Sequence, residues 1–154
     1  MIQPADVHEL IAKWWFVYDN ALFDEWPALF TADARFTCRT DTGATAYEEF
    51  VRADVAGRDA VLAWQTEHRL GSPYPLRHNG ENVHLTTRGD TSAGFRSYIW
   101  VTQIVAGTPS PLSTAIVDGR VAVEDGDLRI AELNVVLDTE DSTVLAERRA
   151  EAQA

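Results

Sequence analysis

Residues 112–137, LSTAIVDGRVAVEDGDLRIAELNVVL, decide the fold class. Residues 112–124 and 128–137 read as two strands. Between the two runs, Asp125-Gly126 is a residue pair that a tight hairpin turn favours. Working backwards, Gly107-Thr108-Pro109 ends a β-rich run over 92–105, and Arg88-Gly89-Asp90 ends another over 76–87. Four consecutive strands with short connections form an antiparallel meander.

Upstream the period changes. Val7, Leu10, Ile11, Trp14, Tyr18 and Leu22 recur at helical spacing behind Asp6, which is placed as the N-cap. A short helix is expected over 24–30 with Pro27 in its first turn, a strand over 34–38, and a turn at Arg39-Thr40-Asp41-Thr42-Gly43. Residues 46–68 read as one further helix that Gly57 breaks or kinks, followed by a loop at Gly71-Ser72-Pro73-Tyr74-Pro75. Helices segregated from an antiparallel sheet make an α+β domain. The expectation is a curved, cone-shaped sheet wrapped by three N-terminal helices, with an internal pocket. One domain spans 1–154, its core about 5–138, with a charged helical tail over 140–154.

The 154 residues are enough for one core without staples, and 45% hydrophobic content fits a folded chain. A net charge of −11 argues against nucleic acid or an anionic membrane surface as partner. Cys38 stands alone, which excludes an internal disulfide and a cysteine zinc site; in a strand it reads as a small buried hydrophobe. The N-terminus has no basic, apolar signal pattern and no run has the length of a membrane span, so the expected address is the cytoplasm.

Several local motifs carry more specific information. Tyr18-Asp19 falls late in the first helix and is followed by Phe23-Asp24-Glu25-Trp26-Pro27-Ala28-Leu29-Phe30-Thr31-Ala32-Asp33-Ala34. Further on come Arg77-His78 with Asn82-Val83, then Asp125-Gly126-Asp127-Leu128-Arg129-Ile130-Ala131. In this order the chain resembles the nuclear transport factor 2-like superfamily and, within it, the SnoaL-like domains, over nearly its whole length. The resemblance implies a pocket-bearing cone. It leaves activity open among dehydratases, dehydrochlorinases, isomerases, polyketide cyclases, epoxide hydrolases and non-catalytic dioxygenase β subunits.

In members similar to scytalone dehydratase, an Asp late in helix one pairs with a His on the strand after helix three. Asp19 and His78 match those positions, and Tyr18 matches a Tyr that orients substrate or water. The chemistry suits the residue types. A neutral imidazole takes a proton from carbon near neutral pH, and a carboxylate on its other nitrogen fixes the tautomer and stabilises the imidazolium. Asp19 lies about 80° around the helix from Ile11, at the margin of the apolar stripe. The competing readings are a solvated or capping Asp19 and a satisfied structural His78.

Trp14, Trp15, Trp64, Tyr98 and Trp100 are candidates for an aromatic-lined substrate pocket, with core packing as the alternative. Asn82 shares strand parity with His78 and is placed on the same face. His84 is roughly 20 Å along the strand, outside the site unless a bulge intervenes. His8 is more than two turns from Asp19, and His68 suits a helix C-terminus. No close His/carboxylate cluster is legible, so no metal and no cofactor is expected. Two departures from the dehydratase pattern stand out: Trp100 on the middle strand and Leu137 on the last, where members similar to dehydratases carry polar groups. Donors to a leaving group are then sought among Tyr18, Tyr98, Arg96 and Asn134.

Three functions follow. The first is a cofactor-independent lyase, isomerase or cyclase in which the Asp19–His78 dyad abstracts a proton from a small hydrophobic, aromatic or polycyclic substrate. The second is a non-catalytic subunit resembling dioxygenase β subunits, whose C-terminal run is similar to Asn134-Val135-Val136-Leu137-Asp138 with Thr143-Val144-Leu145. The third is a ligand-binding module. The resemblance also implies a homodimer.

Overall fold

The computed structural model describes residues 1–153. Helix α1 (Pro4–Asp19) starts three residues earlier than its first apolar stripe position. Gln3, not Asp6, is its N-cap, and Pro4 takes a first-turn position where a missing N–H costs nothing. Asp6 instead closes the capping box by accepting the Gln3 N–H at 3.3 Å. The stripe Val7, Ile11, Trp14 and Tyr18 is buried along α1, as its spacing requires.

A 3₁₀ helix (Phe23–Leu29) replaces the expected α-helical turn and leads into β1 (Phe30–Thr40), which is longer than expected at both ends. The single helix expected over 46–68 is divided into α2 (Glu48–Val51), a strand β2 (Ala53–Ala56) and α3 (Arg58–Gly71). Gly57 makes the division possible, because its φ of 88° is one that L side chains rarely adopt. Its N–H also bonds Ala34 O at 2.8 Å, so the free edge of β1 supplies hydrogen bonds that a continuous helix could not use.

The meander is β3 (Leu76–Arg88), β4 (Ser92–Val105), β5 (Thr108–Glu124) and β6 (Asp127–Leu137), followed by a short α4 (Leu145–Glu151). β5 begins at Thr108 rather than 112 because the turn before it is only Ala106-Gly107, with both φ values positive. Asp125-Gly126 has the same signature, that of a two-residue hairpin loop whose twist matches its strands. The curved sheet has the order β2-β1-β6-β5-β4-β3. It is antiparallel except where β1 meets β6 in parallel, the one long-range closure that brings the N-terminal half onto the meander. The inner face packs on α1 and α3, with Trp14, Trp26, Phe30, Phe95, Ile130 and Leu133 fully buried. Among the described residues, no helix is long and apolar enough to cross a membrane.

Candidate active site

Asp19 is the last residue of α1 and His78 lies near the start of the edge strand β3. The two are joined twice. Asp19 Oδ2 accepts the backbone N–H of His78 at 2.8 Å, and Asp19 Oδ1 lies 2.6 Å from His78 Nδ1. A carboxylate can only accept, so Nδ1 carries a proton, and in the neutral ring Nε2 keeps its lone pair. Nε2 has no protein partner among the described residues. Asp19 is 3% exposed, so the bond is shielded from water. The imidazole stacks on Trp15, with ring centroids 4.3 Å apart and planes 4° from parallel, and Tyr18 meets it edge-on at 5.3 Å. The ring therefore has one orientation.

Arg69 of α3 holds the end of α1 in place. Its guanidinium is buried and donates to the carbonyls of Tyr18 (3.0 Å), Asp19 (2.8 Å) and Pro73 (3.1 Å). The first two belong to the C-terminal turn of α1, at its negative dipole end, where Tyr18 O also accepts the Ala21 N–H at 3.1 Å; the third lies in the loop after α3.

The site opens into a cavity of about 320 Å³, within the range of small-molecule sites. Trp14, Trp15 and Tyr18 of α1, Trp64 of α3 and His78 all line it, as does Leu137, while Trp14 and Trp15 are also core residues. Three expected substrate contacts lie elsewhere. Tyr98 and Trp100 are about half exposed on the outer sheet face, because strand alternation turns Ile99 and Val101 inward instead. Asn82 is exposed at a φ of 57°, in a bulge between Glu81 and His84. The extra residue there flips the parity, so Val83 and Leu85 follow Leu76, His78 and Gly80 onto the inner face. Among the expected donors, Arg96 is paired with Asp118 on the outside and Asn134 bonds Thr37 and Glu132. Only Tyr18 reaches the cavity. His8 and His84 are exposed. Among the described residues, no group of three His, Cys, Asp or Glu side chains is placed to hold a metal. Cys38 is buried in the cavity wall, and burial pushes its thiol up to about 12, so it is an apolar lining group.

The sequence reading missed the polar face of α3. His68, taken as a helix-end residue, lines the cavity with its Nδ1 2.5 Å from Tyr18 Oη. Its ring lies between Trp64 and Phe50, at 4.8 and 4.4 Å. Gln65 is 1% exposed and lines the same wall. The signal was present: Gln65 and His68 sit at i+4 and i+7 from the buried Val61.

Burial, then the charges of His78 and Arg69, lower the His68 pKa to about 4. The folded state therefore binds the His68 proton less readily than the unfolded chain. Stability from this group is present above about pH 6.5 and is lost as pH falls toward 4, on the order of 3 kcal/mol in total. Denaturant melts between pH 7 and 4 should show this loss, and His68→Gln, which keeps a partner for Tyr18, should flatten it.

The SnoaL-like domain profile matches residues 3–134. None of the curated proteins matches the chain at a significant level. Among solved structures, a provisionally named scytalone dehydratase from Novosphingobium aromaticivorans superposes with a TM-score of 0.69 at 15% identity, over 91% of this chain and 87% of that one. ActVI-ORFA from Streptomyces coelicolor gives 0.68 at 19% identity, over 86% and 95%. The β subunit of a provisionally named aromatic-ring-hydroxylating dioxygenase from Novosphingobium aromaticivorans gives 0.68 at 15% identity, over 92% of each chain. At these identities the likeness is one of fold.

Proposed function

This chain belongs to the SnoaL-like domain family, and from that membership we propose that it is a cofactor-independent enzyme that abstracts a proton from a small, hydrophobic, cyclic substrate. The observation that carries the proposal is the pair of hydrogen bonds between Asp19 and His78 at the wall of an apolar cavity, which in the neutral ring directs the free lone pair to Nε2. His78 Nε2 takes a proton from a carbon next to a carbonyl or leaving group. The C–H pair becomes a new C=C bond, and Asp19 stabilises the imidazolium. Return of that proton to another carbon completes an isomerisation; in a cyclisation the carbanion instead attacks a second carbonyl carbon of the substrate, whose π pair moves to oxygen, and the alkoxide so formed takes the proton. Its transfer to a departing hydroxyl completes a dehydration, with Tyr18 as the hydrogen-bonding group beside the base.

The dyad is tested by ¹⁵N NMR of the His78 ring in the wild type and in Asp19→Asn. The backbone N–H of His78 must still meet an oxygen, so the new amide turns its –NH₂ toward Nδ1. Nδ1 then accepts, and the proton moves to Nε2. The expected result is an Nδ1–H tautomer in the wild type and an Nε2–H tautomer in the variant. An Nε2–H tautomer already in the wild type would leave no base and sink the proposal.

A non-catalytic subunit is the second reading. It is favoured by the outer sheet face, where Tyr98, Trp100, Ile104 and Ile116 are exposed. The same surface is the one that the homodimer expected from the sequence would cover.

A further inference from the structure

We propose that Trp15 is a positioning residue that holds the positive charge of the His78 imidazolium on its indole face, and that Gly80 is the slot in β3 that admits the indole. The inference rests on the reading of His78 as the base, but the stack is measurable without turnover.

Trp15 lies on α1 and is 6% exposed. Its indole is parallel to the His78 ring within 4°, with centroids 4.3 Å apart. His78 and Gly80 are two residues apart on β3, so both face inward. A Cβ on Gly80 would stand 3.0 Å from Trp15 Cδ1 and Nε1, and the indole would have to give way by a few tenths of an ångström. The backbone does not require glycine here, since the positive-φ glycines are Gly43, Gly57, Gly107 and Gly126. Glycine inside a strand weakens it and marks a place where another group comes close. That group is Trp15.

Packing alone does not account for the pair. Trp15 Nε1 is buried without a partner, and an orphaned donor destabilises the fold. Phenylalanine opposite alanine would fill much of the same junction with no orphaned N–H and no glycine in the strand. Beyond phenyl, the indole offers the strongest face for a cation among the aromatic side chains. His78 becomes a cation when it takes the proton from carbon. Asp19 meets that charge at Nδ1, on the edge of the ring, and Trp15 meets it on the face.

His68 supplies the contrast. Its ring is stacked on Trp64 at 4.8 Å but has no carboxylate, and burial lowers its pKa to about 4. An aromatic face by itself does not hold a buried charge; beside a carboxylate it adds to the hold. The titratable groups facing His78 are Asp19 and Tyr18 from α1 and, beyond Tyr18, His68 from α3. Arg69 of α3 lies behind Asp19, and Cys38 and Tyr47 are the remaining titratable groups of the cavity wall. On β4, the residue paired with His78 is the apolar Val101.

The test is a titration of the His78 ring by ¹⁵N NMR in the wild type, Trp15→Leu and Trp15→Phe. The pH of half-protonation should fall by about one unit in Trp15→Leu, a tenfold weaker hold on the proton, and by less in Trp15→Phe. A wall that only kept water away gives the opposite sign, because admitting water favours the charged ring. An unchanged or raised midpoint in Trp15→Leu overturns the proposal. The same titration of protein made with 5-fluorotryptophan stands if Trp15→Leu fails to fold. Fluorine draws electron density from the indole face at nearly constant size, and among the described residues no other tryptophan stacks on His78. The midpoint should again fall, and an unmoved one overturns the charge-holding role. In Gly80→Ala the upfield ring-current shift of the carbon-bound His78 ring protons should shrink; an unchanged shift overturns the slot. The tautomer measurement described for Asp19 fails separately. An Nε2–H tautomer in the wild type with a lowered midpoint in Trp15→Leu overturns the base and supports the stack. An Nδ1–H tautomer with an unchanged midpoint overturns the stack and leaves the base.

Discussion

Asp19→Asn should lower kcat for any substrate of this pocket by about 10³–10⁴-fold, with little change in KM or in the melting temperature. The substitution is isosteric and keeps the bond from the His78 backbone N–H, so the α1–β3 junction stays closed. What changes is the polarity of the second bond, 2.6 Å long in the parent. An amide N–H there puts the imidazole proton on Nε2 and removes the base without moving the ring. His78→Gln should cost a similar factor, because a side-chain amide cannot take a proton from carbon. If Asp19→Asn loses activity only through a raised KM, the carboxylate serves binding and the dyad is structural. The check is a Michaelis analysis of both variants beside circular-dichroism melts.

Arg69→Met should destabilise the fold by about 3 kcal/mol or more, which in a chain of this size lowers the melting temperature by roughly 10 °C. Methionine fills much of the volume but takes the donor from the carbonyls of Asp19 and Pro73 and leaves Tyr18 O with the Ala21 N–H alone. The guanidinium also lies by the rings of Tyr18 and Tyr74, whose centroids are 5.9 and 5.5 Å from its carbon, and methionine loses that cation–π attraction. Arg69→Lys should recover only part of the loss, because an ammonium has no planar fork to span three acceptors. As a positioning residue, Arg69 should also affect kcat in Arg69→Lys more than KM, since it fixes where α1 delivers Asp19. Thermal denaturation and kinetics of the two variants check this. A melting temperature within a few degrees of the parent for Arg69→Met would remove the assigned role.

The first turn of α1 shows how far local rules reach. Its apolar stripe was legible from the 3.6-residue period, although that spacing ran on to Leu22, past the observed end at Asp19; its cap was not legible, because Gln3 and Asp6 share the capping box and the sequence offers no way to rank them. The run 46–68 shows the opposite case. Its helical spacing is real in α3, yet Ala53–Ala56 pairs with β1. The competing energy there comes from a free strand edge made of residues 35–38, which no window around 53–56 contains.

The site divides along the same line. Asp19, His78 and Tyr18 could be placed because each lies at a defined point of a regular element and the resemblance matched those points. Trp14, Trp15 and Trp64 follow from helical faces. Asn82, Tyr98 and Trp100 were misplaced because facing depends on registers and bulges. One inserted residue at 81–82 turns the rest of β3 over, and a rough alignment that is off by one exchanges Trp100 for its neighbours Ile99 and Val101. Gln65 and His68 gained their meaning only when α3 met Trp14 and Tyr18 across the core.

By itself, then, the sequence determined the meander, the hairpin turn at Asp125-Gly126, the apolar stripe of α1 and the α+β class. Dihedral preference and side-chain alternation are local, and each of these features is encoded within a few residues of itself. The tertiary structure alone decided the parallel closure of β1 on β6, the hydrogen-bond direction of the Gln65 amide, the pairing of Tyr18 with His68 and of Asp19 with His78, and which aromatics face the cavity. Those are set by groups about 50 or more residues apart, whose bonds exist only after the core has closed and excluded the water that would otherwise satisfy them.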